Sequence, residues 1–450
     1  MSTTTGGRSV AVVGAGPAGL YLLAALIDPE HASRFDRFDV YESTPAPYGL
    51  IRYGVAPDHP RTRAITRVLV PAFTDPRVRY RGNVEVGRDV SLDELREAYD
   101  VVVVSTGMRG DRRLGIPGED VPGSFGASVL VAWDTGHPAA EVQTIPVATS
   151  VAVIGAGNVA LDIARILTRD PADLAETTMP RHVVDRLTSC TASDTHIFAR
   201  RGPAVAKFTS PELHELAKLT DISVVVDPAD MELSDDDKAL VESNRKARVI
   251  VDVLRAGADH GPAGTDPDAP RRIHFHFHRR PTRIVGDDAV TGIEVEATRG
   301  DPVTEKFDAQ LVVRAIGYDT PPFPGLPFDQ AAHVVPTTQG RVRRDDTTMP
   351  GVYVTGWLRR GPSGVIGTNR PDAAEVAAAI VDDLDEGRLD AAPGSPDDID
   401  RLLTERGVDV FGWEDWLSLD AHERALGADL GIDAVVVHDL ATMLGRRWRS

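Results

Sequence analysis

Two segments of the chain share one pattern of hydrophobic and polar positions. Each begins with an apolar run rich in β-branched residues, passes through a cluster of glycines, and continues with apolar residues at helical spacing. The segments are SVAVVGAGPAGLYLLAALI (9–27) and SVAVIGAGNVALDIARIL (150–167). The pattern predicts a strand, a tight turn and a helix in each segment, so the chain contains an internal repeat.

The glycines of the two predicted turns occupy equivalent positions. They are Gly14, Gly16 and Gly19 in the first copy, and Gly155 and Gly157, with Ala160 in third place, in the second. In this spacing the first glycine allows the turn, the second lets the backbone approach a pyrophosphate, and the third lets the helix pack on the strand. One such motif alone could be an ordinary glycine-rich turn. Two copies, each after a strand and before a helix, predict two dinucleotide sites.

The residue that ends the next strand of each copy distinguishes the two nucleotides. The stretch FDVYE (38–42) predicts a strand ending in Glu42, whose carboxylate would accept hydrogen bonds from an unmodified ribose, as in FAD or NAD. After the second turn, the predicted strand 196–199 leads into Arg200 and Arg201, whose guanidiniums suit the 2′-phosphate of NADP. The alternative for this pair is a solvated loop. We therefore predict one FAD site and one NADPH site.

Three more apolar runs indicate how the domains are connected. They are 100–107, which ends in a Thr-Gly turn, 306–318, which repeats that pattern, and 350–357, which predicts a strand returning to the first sheet. We expect an α/β fold with two Rossmann-like dinucleotide-binding domains, the plan of glutathione reductase. The NADPH domain, 108–318, is inserted in an FAD domain made from 1–107 and 319–450.

The remaining segments are predicted from local composition. A Gly-, Pro- and Asp-rich stretch at 259–270 indicates a loop within the insert, and Asp235–Asp237 after Ser234 indicate the start of a helix. In the C-terminal tail, about 391–450, a linker at 391–396 precedes helical stretches at about 397–406 and 413–426.

Composition excludes several classes of function. A formal net charge of −19 disfavours nucleic acid as a partner, because binding to phosphates needs basic surface. No apolar run approaches the roughly 20 residues that cross a bilayer, and the N-terminus resembles neither a secretory signal nor a transit peptide, so we expect a cytoplasmic protein. The single cysteine, Cys190, excludes a CxxC pair and a cysteine-held cluster. Any redox chemistry must therefore use an organic cofactor.

Longer motifs carry a resemblance to a known family. The most specific are GVAPDHP within 47–60 and RRGPSGVIGTN within 356–373, followed by GNVALDIARIL (157–167), RRGP (200–203), ELHEL (212–216) and VVRAIGY (312–318). With these motifs, the sequence resembles the adrenodoxin-reductase-type NADPH–ferredoxin reductases, especially their single-chain bacterial members. The resemblance implies hydride transfer from NADPH to FAD and then single-electron transfer to a ferredoxin-type iron–sulfur protein, by a monomer or weak oligomer.

The resemblance also implies roles for matched positions. Around FAD it implies Gly14, Gly16, Ala18, Gly19, Glu42, Leu50, Val84, Trp357, Gly364, Val365 and Ile366. For NADPH it implies Arg112, Ala156, Gly157, Asn158, Val159, Arg200, Arg201, Glu212 and Gly364. Only the backbone amide of Ala18 is carried over, because some relatives have serine there. For Trp357, the alternative to stacking on the cofactor is a buried core tryptophan.

His59 and Glu215 are the catalytic residues that the resemblance implies. They are expected near the flavin, where they would help to orient the nicotinamide and manage protons. His59 lies between Pro57 and Pro60, which stiffen its loop. Because hydride transfer needs no general base, losing either side chain should slow the enzyme rather than abolish its activity. The alternative for His59 is a hydrogen-bonded structural histidine.

Three histidines alternate with two phenylalanines at 274–278, which places His274, His276 and His278 on one face of a predicted strand. A metal site is one interpretation of such spacing. No carboxylate or cysteine lies nearby in sequence, so we predict a solvent-facing strand edge and no metal.

A surface for an acidic ferredoxin must be locally positive on a chain of this net charge. The candidates are Arg245, Lys246, Arg248 and Arg255 on one helical stretch, with Arg271, Arg272, Arg279 and Arg280 beyond it. The alternative for both groups is a solvated charged face.

Other functions share parts of these patterns. A disulfide reductase needs two active-site cysteines, and a flavin monooxygenase usually carries an FxGxxxHxxxW signature, which the sequence lacks. The strongest rival enzyme is an NADPH-oxidising electron-input subunit similar to the small subunit of glutamate synthase, which normally brings a cysteine-rich N-terminal domain. A nucleotide-sensing protein with decayed sites is disfavoured by the intact glycine turns.

Overall fold

The computed structural model describes most of the chain, in the residue ranges 7–107, 110–140, 145–189, 192–216, 219, 221–259, 271–319 and 321–445. Cys190 and the part of the predicted loop from 260 to 270 lie outside these residues. The chain forms two compact units. Unit 1 contains Met1–Gly110, Thr135–Ala139 and Tyr318–Ser450, and unit 2 contains Asp111–Asp134 and Ala140–Gly317. The short return of the chain to unit 1 at Thr135–Ala139 has no counterpart in the sequence prediction.

The strands include those predicted from apolar runs, which are β1, β2, β4, β7, β8, β14 and β18 in the numbering given next. In chain order they are β1 (Arg8–Val13), β2 (Phe35–Tyr41), β3 (Val78–Arg81), β4 (Val101–Val104), β5 (Gly110–Asp111), β6 (Ser124–Gly126), β7 (Ser150–Ile154), β8 (Asp194–Phe198), β9 (Ser223–Val226), β10 (Arg272–His276), β11 (Arg279–Val285), β12 (Gly292–Ala297), β13 (Thr304–Asp308), β14 (Leu311–Arg314), β15 (Tyr318–Asp319), β16 (Thr337–Thr338), β17 (Arg341–Arg344) and β18 (Thr347–Val354).

The helices include the two that the glycine turns predict. In chain order they are α1 (Pro17–Leu26), α2 (Leu50–Tyr53), α3 (Pro60–Arg63), α4 (Thr66–Leu69), α5 (Leu92–Ala98), α6 (Ala127–Asp134), α7 (Asn158–Thr168), α8 (Pro171–Ala175), α9 (Arg181–Thr188), α10 (Ser210–Leu216), α11 (Asp235–Ser243), α12 (Arg245–Asp259), α13 (Trp357–Arg360), α14 (Asn369–Asp385), α15 (Pro396–Glu405), α16 (Trp413–Ala428) and α17 (Leu440–Gly445). In this described part of the chain, no helix is long and apolar enough to span a membrane.

Each unit is built around a mainly parallel sheet with its glycine-turn strand inside. In unit 1 the order is β16-β17-β18-β4-β1-β2-β3, and β18 pairs in parallel with β4, as predicted for the returning strand. In unit 2 the order is β6-β14-β7-β8-β10-β9, with a separate antiparallel sheet β11-β12-β13. Strand β1 lies between β2 and β4, and β7 between β8 and β14, so each glycine turn stands where the strand order reverses.

Burial on both faces explains why the first strand is continuously apolar from Val10 to Val13. Val10 and Val12 of β1 belong to one hydrophobic cluster of unit 1, and Ala11 and Val13 belong to another on the opposite face. All four side chains are buried. Parallel strands covered on both faces show continuous apolar runs rather than alternation, and this is what made the strand recognisable.

The C-terminal tail packs on the rest of unit 1. Glu423 of α16 forms a bidentate, buried ion pair with Arg52 of α2, at 3.0 and 2.6 Å. The ring of Trp416, also in α16, meets that of Tyr48 edge to face at 5.9 Å. The predicted tail helices are confirmed as α15 and α16, and α16 holds the segment in which Tyr48 and Arg52 lie.

The prediction of a solvent-facing histidine edge is wrong. Strand β10 lies between β8 and β9, and His274 pairs in register with His196 of β8. The ring of His196 stacks on those of His274 and His276 at 4.5 and 5.2 Å, and Phe307 covers His276 at 4.8 Å. The local sequence could not reveal this, because the covering rings come from other strands. His278 lies beyond the strand, at a positive φ of 55°.

Candidate nucleotide-binding sites

The first glycine turn is closely packed around its own backbone. Gly14 has a φ of +106°, and a Cβ there would lie 2.7 Å from the carbonyl oxygen of Ser105. A Cβ on Gly19 would lie 2.2 Å from the oxygen of Gly14. The hydroxyl of Ser105 donates to the carbonyls of Val13 and Gly14, at 2.9 and 3.1 Å. Ser105, which the sequence did not single out, therefore braces the turn.

The N-terminus of helix α1, which carries the positive end of the helix dipole, lies at the glycine turn. Gly16 is its N-cap, Pro17 is its first residue, and neither a capping side chain nor an acidic residue occupies the first turn. The amides of Gly16 and Ala18 have no acceptor among the described residues. Such unsatisfied amides at a helix N-terminus form a site for phosphate oxygens.

Glu42 follows β2 and is attached to the glycine turn. Its Oε2 accepts a hydrogen bond from the amide of Ala15 at 2.9 Å, and its Oε1 accepts one from the hydroxyl of Ser43 at 3.0 Å. Val84, which is 1% exposed, donates its amide to the carbonyl of Glu42 at 2.9 Å. The carboxylate is thus held in one position beside the turn.

A second loop of unit 1 approaches the same turn. Tyr48 and Gly49 both have positive φ angles, of 84° and 48°. A Cβ on Gly49 would lie 2.9 Å from the Cα of Gly16, and Tyr48 donates its amide to the carbonyl of Ala15 at 2.9 Å. Leu50, the first residue of α2, follows directly. The structure therefore brings the predicted positions Gly16, Glu42, Leu50 and Val84 together in unit 1.

The Gly356–Trp357 pair also lies beside helix α1. A Cβ on Gly356 would lie 2.6 Å from the Cβ of Ala18, so only glycine permits this approach without a shift. Trp357 is half-buried rather than a buried core residue. Its ring stacks on Tyr318 at 5.6 Å, and its Nε1 donates to the carbonyl of Ser363 at 3.2 Å.

A buried carboxylate organises the segment around Trp357. Asp372, in α14, accepts hydrogen bonds from the hydroxyl of Thr355 at 2.8 Å and from the amide of Gly356 at 2.6 Å. It also pairs with Arg359 at 2.9 Å, while Arg360 donates to Asn369 at 2.9 Å. Sequence reasoning missed Asp372. The signal was present in RRGPSGVIGTNRPDA (359–373), where three arginines precede a single acid.

The predicted Gly364–Ile366 backbone precedes α14. Gly364 has a φ of +87°, and the amides of Gly364 and Val365 have no acceptor among the described residues. Val365 leaves 61% of its surface exposed, so its amide lies in an accessible part of the loop. Together with the cradle around Gly16, these donors fit a flavin dinucleotide.

The second glycine turn, like the first, has a glycine at positive φ packed closely against backbone, but other residues contact it. Gly155 has a φ of +141°, and a Cβ there would lie 2.2 Å from the oxygen of Ala315. Asn158, which begins α7, accepts the amide hydrogen of Thr209 at 2.7 Å. The predicted Ala156–Val159 amides have no acceptor among the described residues, so this helix start can also receive phosphate oxygens.

Arg200 and Arg201 follow β8 as the sequence predicts. Both side chains are exposed, and neither guanidinium forms a hydrogen bond or ion pair with any described protein group. Arg112, also exposed, belongs to the same unit, where its amide donates to the carbonyl of Gly317 at 3.0 Å. Unpaired guanidiniums beyond a Rossmann strand fit a 2′-phosphate.

Helix α10 carries Glu212 and Glu215, with Glu212 half-buried and Glu215 exposed. The negative charges of both carboxylates favour the protonated form of Arg165 in α7. Arg165 is buried and pairs with Asp162 at 2.9 Å. Burial lowers the pKa of Arg165 to about 10, and the charge of Glu212 partly opposes this change. Sequence reasoning did not single out Arg165, an arginine on the apolar side of the helix after the turn.

His59 lies in unit 1 at the start of α3. It is buried, with 8% of its surface exposed, and donates its amide to the carbonyl of Ala56 at 3.0 Å. Pro60 is the first residue of the helix, so the predicted stiffening by proline is present. The roles of His59 and Glu215 in the reaction stay predictions.

The second half of the predicted basic surface is neutralised. Its four arginines each pair with a carboxylate: Arg271 with Asp170, Arg272 with Asp194, Arg279 with Glu305, and Arg280 with Glu296. These carboxylates come from other segments and offset the positive charge of this half, whose role in docking stays a prediction. The four cations on α12, which are Arg245, Lys246, Arg248 and Arg255, are exposed.

Comparisons with known proteins give one consistent result. The NADPH-ferredoxin reductase FprA of Mycobacterium leprae is 38% identical, over 97% of this chain and 97% of its own length. The mitochondrial NADPH:adrenodoxin oxidoreductase of Arabidopsis thaliana is 33% identical, over 93% of this chain and 91% of its length. No protein-family model matches the chain.

A solved structure agrees with the fold. FprA of Mycobacterium tuberculosis in complex with NADPH superposes with a TM-score of 0.89 and 36% sequence identity, over 98% of this chain and 99% of that one. The predicted two-domain dinucleotide-binding fold is thereby confirmed. The chain belongs to the family of NADPH-ferredoxin reductases and is an NADPH-dependent oxidoreductase.

Proposed function

We propose that the protein carries FAD at the glycine turn of unit 1, binds NADPH at that of unit 2, and passes the electrons to a ferredoxin-type iron–sulfur protein. One observation carries this proposal. A fixed carboxylate, Glu42, follows the second strand of unit 1. Two guanidiniums, those of Arg200 and Arg201, follow the equivalent strand of unit 2 and have no partner among the described residues. A carboxylate favours a free ribose and the guanidiniums favour a ribose 2′-phosphate.

FAD, when bound, supplies the chemistry that accepts two electrons from NADPH and releases them one at a time. The chain's residues bind and orient it. The amides of Gly16 and Ala18 would hold the pyrophosphate, and Glu42 would accept the ribose hydroxyls. The amides of Gly364 and Val365 would donate to the ring where negative charge develops on reduction.

The residues of unit 2 would orient the nucleotide that brings the hydride. The amides of the Ala156–Val159 turn would hold its pyrophosphate. Arg200 and Arg201 would bind the 2′-phosphate, while Arg112 offers a further exposed cation. Glu212 and Gly364 complete the set of residues that the family resemblance assigns to NADPH.

His59 and Glu215 are proposed to orient the nicotinamide and to manage protons near the flavin. The burial of His59 and the proline that follows it would hold the imidazole in one orientation. Because the transferred species is a hydride, neither side chain is expected to be indispensable.

The exposed cations of α12 are proposed as the docking surface for an acidic ferredoxin. Unlike the arginines beyond it, Arg245, Lys246 and Arg255 form no ion pair with a described residue, and Arg248 only donates to the carbonyls at the end of α11. Local positive charge would steer association with an acidic partner despite the net charge of −19. We further propose that the enzyme works in the cytoplasm as a monomer or weak oligomer.

Matches along nearly the whole length of proteins named NADPH-ferredoxin reductase favour this function over an electron-input subunit of the glutamate synthase type. Cytochrome c reduction driven by NADPH, with and without added ferredoxin, tests the proposal. We expect the rate to rise in proportion to ferredoxin at low concentrations of ferredoxin. If added ferredoxin does not change the rate, the proposal that ferredoxin is the electron acceptor is wrong.

A further inference from the structure

The segment that carries Arg200 and Arg201 is hydrogen-bonded to the connection between β10 and β11 in unit 2. This connection, residues 276–279, is called the corner. Ala199, just before them, donates its amide to the carbonyl of His276 at 2.8 Å, and its carbonyl accepts the amide hydrogen of Arg279 at 3.0 Å. The chain after β8 is therefore bound on both sides by the residues that connect β10 to β11. The next contacts reach the backbone of the arginines themselves.

Thr298 supplies the first of these contacts. Its hydroxyl donates to the carbonyl oxygen of Arg200 at 2.8 Å. Its amide donates to the carbonyl of His278 at 2.8 Å, which attaches Thr298 to the corner. Thr298 follows β12 and is exposed, so it touches the main chain of Arg200 and leaves the guanidinium uncovered.

His278 supplies the second contact. It turns the chain between β10 and β11 at a φ of 55°, and its amide points to the carbonyl of Arg201 at 3.5 Å. Its imidazole lies against Gly202, where a Cβ would be 2.9 Å from Nε2 and 3.0 Å from Cε1. Nε2 is buried and has no hydrogen-bond partner among the described residues, so the ring acts by packing against the turn.

These contacts fix the main chain from which the side chains of Arg200 and Arg201 start. Neither guanidinium has a described protein partner, so the described contacts of the protein with these two arginines are contacts to their main chain. Forked binding of a phosphate requires a defined orientation of the guanidinium plane. We propose that Thr298 and His278 are positioning residues that determine the preference for NADPH over NADH by fixing the main chain of Arg200 and Arg201. This inference rests on the proposed NADPH site.

The expected effect is confined to the nucleotide with a 2′-phosphate, because NADH offers the arginines nothing to bind. The test uses the FAD-loaded enzyme with Thr298→Val, which removes one hydroxyl, and His278→Asn, which removes the ring and keeps a residue that tolerates positive φ. Thr291→Val is the matched control, since its hydroxyl donates to the carbonyl of Val285 near the same sheet. The double variant R200A/R201A tests the site itself.

Two readouts are compared for every variant. One is kcat/KM for flavin reduction with NADPH and with NADH, and the other is the dissociation constant for 2′,5′-ADP and for 5′-AMP. We expect Thr298→Val and His278→Asn each to lower the NADPH-to-NADH ratio by about 2- to 10-fold, the effect of one modest hydrogen bond or packing contact. Binding of 5′-AMP and the behaviour of Thr291→Val should not change.

The outcomes separate this inference from the proposed function. If R200A/R201A removes the preference but Thr298→Val and His278→Asn leave it intact, the positioning role is wrong and the NADPH site stands. If these variants weaken both nucleotides equally, the corner only supports the fold, and the positioning role is again wrong. If R200A/R201A leaves the preference unchanged, the assignment of the 2′-phosphate fails and the inference fails with it.

Discussion

The carboxylate of Glu42 accepts a hydrogen bond from the amide of Ala15 over 2.9 Å. The group proposed to bind the ribose is thus attached to the turn proposed to hold the phosphates. In unit 2 the equivalent turn is attached through backbone instead, since the amide of Lys207 donates to the carbonyl of Ala156 at 2.7 Å. The arginines after β8 have no hydrogen-bond or ion-pair partner in the part of the chain that the structure describes.

Glu42→Gln should weaken FAD binding. The amide side chain keeps one acceptor but loses the charge, and hydrogen bonds to a charged acceptor contribute about 1.5–3 kcal/mol. We therefore expect the dissociation constant for FAD to rise by roughly 10-fold or more. Titration of the apoprotein with FAD, followed by quenching of flavin fluorescence, measures this constant. Glu30→Gln, at an exposed site in the loop after α1, is the control and should bind FAD normally.

Asp372→Asn should destabilise unit 1. The carboxylate is 6% exposed and accepts from Thr355, Gly356 and Arg359, whereas the amide of asparagine would turn two hydrogens towards some of these donors. We expect the free energy of unfolding to fall by about 2–4 kcal/mol. Urea denaturation measures it, with Asp382→Asn on the exposed face of α14 as control. Equal midpoints for the two variants would mean that this carboxylate does not hold the loop.

Stability should depend on pH through the stacked histidines of unit 2. Burial lowers the pKa of His196 to about 4 and the pKa of His276 to about 3, and neighbouring imidazoles add to both effects. The unfolded chain therefore takes up these protons first as the pH falls. The contribution of these two histidines to the free energy of unfolding is fully present above about pH 6.5, the ordinary pKa of histidine. It decreases as the pH falls from there towards about 4.

Replacing one of these histidines isolates the effect. His276→Gln should reduce the slope of unfolding free energy against pH by up to about 1.4 kcal/mol per pH unit, the value for one proton. Denaturant unfolding between about pH 5 and pH 7 measures this slope. His182→Gln, on the exposed side of α9, serves as the control. An unchanged slope in the His276 variant would show that the buried ring does not titrate on unfolding.

Reversing charge on α12 should weaken the interaction with ferredoxin. In Arg245→Glu/Arg248→Glu, two exposed cations become anions that repel an acidic partner. We expect the Michaelis constant for ferredoxin to rise about 5-fold or more at low salt and by less at high salt, because salt screens exposed charges. Arg245→Glu alone is also compared with Lys238→Glu on α11, where the lysine pairs with Asp235, because these two single variants change the net charge equally. The α12 surface would be discarded if both variants behaved alike.

The local sequence pattern was sufficient to predict those parts of the site that are formed by a single continuous segment. The Gly14 and Gly155 turns and the strand before Glu42 could be predicted, because turn geometry and apolar runs are encoded within a few residues. The cap of α11 by Ser234 was equally local, and it is confirmed. These features need no knowledge of the rest of the fold.

Contacts between distant segments were not predictable in the same way. Asp372 reaches Gly356 only after α14 packs beside α1, and His196 covers His274 only when β8 pairs with β10. The pairing of Arg279 with Glu305 likewise required two strands of another sheet to come together. Such pairs depend on tertiary packing, which no motif in a single sequence records.

The most direct test of the central claim is anaerobic mixing of the purified protein with NADPH and, separately, with NADH, while the visible absorption of the flavin is followed. We expect a yellow protein whose flavin absorption NADPH bleaches rapidly and NADH bleaches much more slowly. A colourless protein that takes up no FAD, or equal bleaching by the two nucleotides, would contradict it.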